Sequence, residues 1–293
     1  MILPKEVLKK VKLLEINTRK LVNNQLAGEY HTAFKGQGMT FSDFREYVPG
    51  DDVRNISWSL MAKTDKVFIK QFEEERELVL ILLVDISGST DFGSGKYFKG
   101  EVLAHLAALL AFSAVKNNDR VGLVLFTDQI EHYVPPKKGR GQVLRILRDL
   151  YYHRPKSHKT NLAQAFDFLL GAQKKRSTVF VMSDFQDENY EQQLRQLSRR
   201  HDVVACVVED AFESSPVSLG IIDLQDAETG EILTLDTSSK DFKDWHVQFR
   251  KQSVQRRNEM LKRAQVDQVS VRSDENFADA LIQFMRRRSA GRG

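Results

Sequence analysis

Seven apolar residues in an unbroken row, Leu78-Val79-Leu80-Ile81-Leu82-Leu83-Val84, run into the polar, turn-forming sequence Asp85-Ile86-Ser87-Gly88-Ser89. A strand with one wet face alternates apolar and polar side chains, whereas a continuous apolar row belongs to a strand covered on both faces. The row is strand-length, far short of the roughly 20 apolar residues that a membrane-spanning helix needs. It calls for a layered fold with helices on both sides of a sheet.

The sequence downstream supplies those helices. Glu101 to Lys116 is rich in alanine and leucine and reads as a helix; Val121 to Phe126 is a second buried strand. Ile130 to Val134 follows too closely for a parallel crossover and is expected to pair antiparallel. Gly141 to Tyr152 and Asn161 to Ala172 read as helices, Thr178 to Met182 as a third buried strand, Tyr190 to Arg200 as a helix and Val203 to Val208 as a fourth strand. The alternation predicts an α/β fold with a mostly parallel sheet, helices on both faces and one antiparallel edge strand. Ser218 to Leu224 and Glu231 to Leu235 flank a glycine-containing turn and predict a β-hairpin. A helix from Lys240 to Ala264, a short strand at Gln268 to Val271 and a helix from Asn276 to Arg288 follow, with a frayed tail from Arg286 onward.

Before the apolar row, Pro4 to Asn23 carries apolar residues at helical spacing and predicts an amphipathic helix packed on the main body. Gly28 to Asp65, broken by Gly36, Gly38, Pro49 and Gly50, reads as loop-rich, and Val67 to Phe72 as a partly alternating strand. The expected division is therefore an N-terminal extension at 1–76 and a main domain at 77–293, with a hairpin insertion at about 216–238. The lysine-studded first twenty residues lack the apolar core and cleavage site of a secretory signal, so a cytoplasmic protein is expected. The single cysteine, Cys206, lies in an apolar run and reads as a buried structural thiol. The net charge of +4 is uneven: from Lys240 onward 13 Lys or Arg stand against 7 Asp or Glu. With little aromatic interleaving, that basic third reads first as a solvated helix face.

The chemistry gathers at the ends of predicted strands. Asp85, Ser87 and Ser89 follow the first buried strand, Asp184 follows the third, and Thr160 lies in the loop before the helix at Asn161. In an open parallel sheet, ligands bind beyond the carboxyl ends of the strands where strand order reverses. Two carboxylates and three hydroxyls there suit a hard cation such as magnesium, which takes oxygen ligands and keeps several waters. Taken singly, Ser87, Ser89 or Thr160 is a plausible helix N-cap and Asp184 an ordinary strand-end aspartate.

As a set, Asp-x-Ser-x-Ser, a later loop threonine and a later strand-end aspartate resemble the metal-ion-dependent adhesion site of von Willebrand factor A domains. A second resemblance covers most of the chain. The stretch Phe41-Ser42-Asp43-Phe44-Arg45-Glu46-Tyr47-Val48-Pro49-Gly50-Asp51-Asp52-Val53-Arg54-Asn55-Ile56-Ser57-Trp58 is similar to the signature of the bacterial family called domain of unknown function 58. So are Phe72-Glu73-Glu74-Glu75-Arg76-Glu77, Asn118-Asp119-Arg120-Val121-Gly122, Pro135-Pro136, Asp226-Ala227-Glu228-Thr229-Gly230-Glu231 and the arginine-rich end. Most members have Asp where this chain has Ser57, and many have Ala-Arg where it has Ala62-Lys63. The resemblance implies a von Willebrand factor A-like, Rossmann-like fold and a non-catalytic protein-interaction module. It also implies a MoxR-type ATPase of the AAA+ class as partner, in remodelling or activating other proteins. Ser87, Ser89 and Thr160 would contact Mg2+ (or Mn2+ or Ca2+) directly or nearly so, Asp85 and Asp184 largely through water, and a client protein would supply a carboxylate. In the signature loop, Arg45, Asp51, Asp52, Arg54 and Trp58 are candidates for partner binding; the alternative is a tight turn held by internal ion pairs.

Two other chemistries fit parts of the sequence. A haloacid dehalogenase-type Mg2+ phosphatase would use Asp85 as nucleophile, Asp184 as ligand and Lys174 or Lys175 as cation. It needs a second aspartate two residues after the nucleophile, where Ser87 stands. Nucleic-acid binding would use Arg256, Arg257, Lys262 and Arg263. The glycine-rich Gly93-Ser94-Gly95-Lys96 departs from a phosphate-binding loop at Thr90 and Tyr97.

Overall fold

The computed structural model describes residues 15, 18, 21, 22, 26–34, 40–64, 66–73, 77–95, 97–214, 218–228 and 230–291. Most of the expected helix from Pro4 to Asn23 lies outside them, as do Gly36, Gly38, Asp65, Glu74, Glu75, Arg76, Lys96, Thr229, Arg292 and Gly293. The described residues form two compact units, one of Phe34–Leu78 and one that joins those up to Ala33 with those from Val79 onward. The sequence reading places a single division at residue 76; in the structure, helix α1 (Ala27–Ala33) groups with the larger unit.

The smaller unit contains strand β1 (Thr40–Glu46), a 3-10 turn (Val53–Asn55), helix α2 (Trp58–Thr64) and strand β2 (Phe68–Glu73). β1 and β2 pair antiparallel with a bulge between Phe41 and Asp43. The stretch expected to be loop-rich therefore carries regular structure. Its residues Thr40, Ser42, Asp43, Arg45 and Glu46 give no apolar pattern; pairing with β2 is what makes them a strand.

The larger unit continues with β3 (Val79–Asp85), α3 (Lys99–Lys116), β4 (Arg120–Phe126), β5 (Ile130–Lys137), α4 (Arg140–Tyr152), α5 (Leu162–Ala172), β6 (Thr178–Ser183), α6 (Glu191–Arg200) and β7 (Asp202–Glu209). It ends with the short helix α7 (Ala211–Ser214), the hairpin β8 (Ile221–Gln225) and β9 (Ile232–Asp236), then α8 (Lys240–Arg263), β10 (Asp267–Arg272) and α9 (Phe277–Ala290). Six strands form one sheet in the order β10-β7-β6-β3-β4-β5. All its pairs are parallel except β4 with β5. This is the mostly parallel α/β sheet with one antiparallel edge strand that the sequence predicts.

Alternate side chains of the central strands serve opposite layers. Ile81, Leu83, Val124, Phe126, Val179 and Val181 pack with Leu162, Phe166 and Leu169 of α5, Leu194 and Leu197 of α6 and Leu261 of α8. On the other face Leu80, Leu82, Val84, Phe180 and Met182 are equally buried. There α3 lies on β3 and β4, flanked by α1, α4 and α9. Being covered from several sides, α3 is apolar around most of its circumference. Cys206 sits in this core, and burial pushes its thiol pKa up, as befits a structural cysteine.

The arginine-rich tail corrects an expectation. Instead of fraying at Arg286, the chain stays helical to Ala290. Arg288, with a side chain 3% exposed, pairs with Asp202 and, at 2.8 Å, with Asp267, tying α9 to the first residues of β7 and β10. Among the described residues no helix is long and apolar enough to cross a membrane.

Two-sided burial has a measurable consequence. Leu82→Ala and Leu83→Ala point to opposite layers, and each is expected to cost about 2–5 kcal/mol in urea unfolding, as buried leucine truncations do. A loss at only one of the two positions contradicts the double covering.

Candidate metal centre

The strand order reverses beside β3. The crossover through α3 places β4 on one side, and the chain then returns to place β6 on the other. Parallel register sets Val84 against Met182, so β3 and β6 end level with each other. Asp85 is the last residue of β3, and Asp184 follows the last residue of β6. The crevice beyond the strands is thus flanked by a carboxylate from each side.

Asp85 is 1% exposed. It accepts the backbone N–H of Ser87 at Oδ1 (2.9 Å) and the Ser183 hydroxyl at Oδ2 (2.7 Å), both neutral donors. Burial first, then the negative charge of Asp184, raise its pKa to about 7, while those hydrogen bonds pull the other way. Asp184 is better compensated: the buried Lys99 ammonium donates to its Oδ2 at 3.2 Å and also to Glu213. Burial alone would lower the Lys99 pKa, but Asp184 and Glu213 outweigh it and hold the pKa above its ordinary value. Phe185, at φ +56°, takes the left-handed conformation and turns the chain directly after Asp184.

The hydroxyls are not spent on helix caps. Ser87 precedes the 3-10 turn Gly88–Asp91 without making a side-chain cap bond, and its Oγ lies 3.2 Å from that of Ser89. Neighbouring ligands of an octahedral magnesium at about 2.1 Å stand about 3 Å apart, so this spacing fits two of its positions. Asn161, not Thr160, caps α5 by accepting the N–H of Gln164. The two loops are joined where Gly88 N–H donates to the His158 carbonyl at 2.9 Å. Thr160 donates its hydroxyl hydrogen to Glu228 Oε1 at 2.9 Å, at the tip of the β8–β9 hairpin. Among the described residues, no group of three His, Cys, Asp or Glu side chains forms a metal cage by itself. A cation here would rest on the hydroxyls together with the carboxylates, a donor set that suits magnesium.

All five residues read as a set from the sequence therefore lie on the loops around one crevice. Lys99, Ser183 and Glu228 were not foreseen. Ser183 had a signal, since it ends the strand immediately before Asp184; Lys99 and Glu228 reach the crevice only through folding. Arg45, Asp51, Asp52, Arg54 and Trp58 belong to the smaller unit. There Arg45 forks onto Asp51 at 2.8 and 2.7 Å, Asp51 also takes the Val48 N–H, and Arg54 pairs with Asp52. Arg45 and Asp51 brace the Pro49-Gly50 turn, Asp52 caps the following 3-10 turn by accepting the Arg54 backbone N–H, and Trp58 stays 66% exposed.

The structure places the residues of the competing chemistries as follows. Lys174 and Lys175 are exposed at the amino end of β6, a strand of six residues that spans about 20 Å and puts them far from Asp85. Ser94, in the glycine-rich loop, gives both its N–H and its hydroxyl to the Asp210 carboxylate, which is repulsive to phosphate. In the basic helix, Arg256 pairs with Glu188, the buried Arg257 with Glu209, and Arg263 lies near Glu191 and Glu259. Only Arg257 of the four is buried; Arg256, Lys262 and Arg263 are exposed, two of them beside acidic residues.

The raised pKa of Asp85 sets a pH dependence. A folded-state pKa above the unfolded value stabilises the protein most below about pH 4, and that contribution is lost as pH rises through about 7. Relative to Asp85→Asn, the metal-free protein is expected to lose stability between pH 4 and pH 8 in urea unfolding. Parallel pH profiles for the two proteins contradict the assignment of burial and charge.

Comparison with known proteins agrees with the family resemblance. An uncharacterized protein of Mycobacterium tuberculosis, Rv1480, is 29% identical over 236 residues, spanning 79% of this chain and 74% of its own. Among solved structures, an aerotolerance-related membrane protein from Bacteroides fragilis is similar at TM-score 0.47 and 15% identity, over 73% of this chain and 99% of that one. The SpRpn10 VWA domain is similar at TM-score 0.38 and 13% identity, over 71% and 94%. The family profile described as protein of unknown function DUF58 matches residues 43–259, a span that takes in most of the signature loop, all five crevice residues and the hairpin. The chain belongs to the DUF58 family.

Proposed function

We propose that this protein is a non-catalytic, Mg2+-dependent interaction module of the von Willebrand factor A type, working in the cytoplasm with a MoxR-type AAA+ ATPase to remodel or activate client proteins. The observation that carries the metal reading is the pair of uncapped hydroxyls, Ser87 and Ser89, 3.2 Å apart beside the buried Asp85. A buried carboxylate beside a second one, with only neutral donors of its own, is an arrangement that a cation relieves.

Ser87, Ser89 and Thr160 would hold the ion, with Asp85 and Asp184 behind them. Magnesium would supply a hard positive point that a client's carboxylate can reach. The protein's own residues fix the rest. The Asp85–Ser87 and Asp85–Ser183 hydrogen bonds orient one carboxylate, and Lys99 orients the other. The ATPase partner rests on the family resemblance alone.

Calorimetric titration with Mg2+ tests the metal reading. Asp85→Ala and Ser87→Ala are expected to weaken binding by about 10-fold or more and to reduce co-purification with a MoxR-type ATPase, while the far-UV spectrum stays native. Unchanged metal affinity in both variants refutes the assignment.

A further inference from the structure

The hairpin does more than decorate the domain: its tip lies over the metal loop. A Cβ placed on Gly88 would stand 2.2 Å from the Ala227 carbonyl oxygen and 2.9 Å from its carbon, so only glycine permits this approach. From the next residue, the Glu228 carboxylate takes the Thr160 hydroxyl hydrogen at 2.9 Å. It is also close enough to Asp184 to feel that residue's charge. A negatively charged side chain held near the buried Asp184 is unfavourable unless something positive joins them.

The hairpin is built to be releasable. β8 and β9 form their own two-stranded sheet, apart from the main one, and such a ribbon is marginal in isolation. Its base is tied down: Leu219 N–H donates to the buried Thr237 hydroxyl, and Thr237 N–H donates to the Gly220 carbonyl. Gly220, at φ +79°, gives that base a backbone turn open chiefly to glycine. Ile221 and Ile232 in the ribbon are 76% and 62% exposed, so the ribbon has little apolar packing of its own. The tip is held by the Ala227–Gly88 approach and the Glu228–Thr160 hydrogen bond.

We propose that Glu228 is an internal carboxylate ligand of the site, occupying the position that the proposed function assigns to a client's carboxylate, so that a client must displace the hairpin tip to bind. The inference rests on the metal reading above. In the metal-bound protein the hairpin is tethered to the ion; without metal, the Glu228–Thr160 hydrogen bond remains. A partner that lifts the hairpin thereby exposes the ion.

The test uses the full chain and the metal alone. Mg2+ binding is followed calorimetrically, and hydrogen exchange is followed over residues 221–236, for wild type, Glu228→Gln and Glu228→Asp. Mg2+ is expected to slow exchange of the hairpin in wild type. Glu228→Gln should lose that protection and bind the ion about 10-fold more weakly, with Glu228→Asp between the two. Metal-free, Glu228→Gln should unfold at a temperature no lower than wild type, because it keeps an acceptor for Thr160 and removes a negative charge near Asp184. If wild type binds Mg2+ but Glu228→Gln binds it equally well with the same protection of the hairpin, the internal ligand is overturned and the metal site stands. If wild type binds no Mg2+, both readings fall together.

Discussion

Strand β3 is held between β4 and β6, and the chemistry of the molecule depends on that position. Parallel pairing on both sides places Val84 beside Leu125 and Met182, so the two strands that bear the acidic residues finish at one level. The side chains before Asp85 are buried alternately into two apolar layers. A slip of one residue would carry Asp85 or its neighbours to the wrong face, so the register is fixed by the core rather than by the loop. Because strand order reverses at this point, the loops leaving β3 and β6 separate and leave a crevice between them.

Electrostatics in that crevice are unbalanced by design of the fold. Asp85, Asp184, Glu213 and Glu228 gather near the strand ends, and Lys99 is the ammonium that bonds two of them. Without a further positive charge, Asp85 is driven toward its protonated form. The neutral hydroxyls of Ser87, Ser89 and Thr160 add oxygen donors without adding negative charge, and magnesium accepts such a mixture. Lys99 therefore shapes the site by removing some of its repulsion while leaving Asp85 to be satisfied by another charge.

Much of the larger unit was legible because its strands are continuous apolar rows. Leu78–Val84, Val121–Phe126, Thr178–Met182 and Val203–Val208 fall within a residue or two of β3, β4, β6 and β7. Asp85, Ser87, Ser89 and Asp184 are near in sequence to strand ends, so their placement followed from the strands. The β1–β2 sheet was hidden because β1 is polar, and its strand form comes from a partner about 25 residues away. The last helix was cut short for a related reason. Arg286 to Arg288 looked like a solvated run, yet Arg288 finds Asp202 and Asp267, which only the sheet brings side by side.

The sequence by itself determined the layered α/β architecture and the five polar residues around the crevice, because hydrophobic periodicity and strand-end position are local properties. Only the tertiary structure decided which hydroxyls are spent on caps, which carboxylates Lys99 bonds and what covers the Ser87–Ser89 loop. Those outcomes depend on contacts between residues far apart in the chain, such as Thr160 with Glu228 and Gly88 with Ala227. Neither pair has a signature in its own neighbourhood, since a hydroxyl, a carboxylate and a glycine acquire these roles from whatever the fold sets against them.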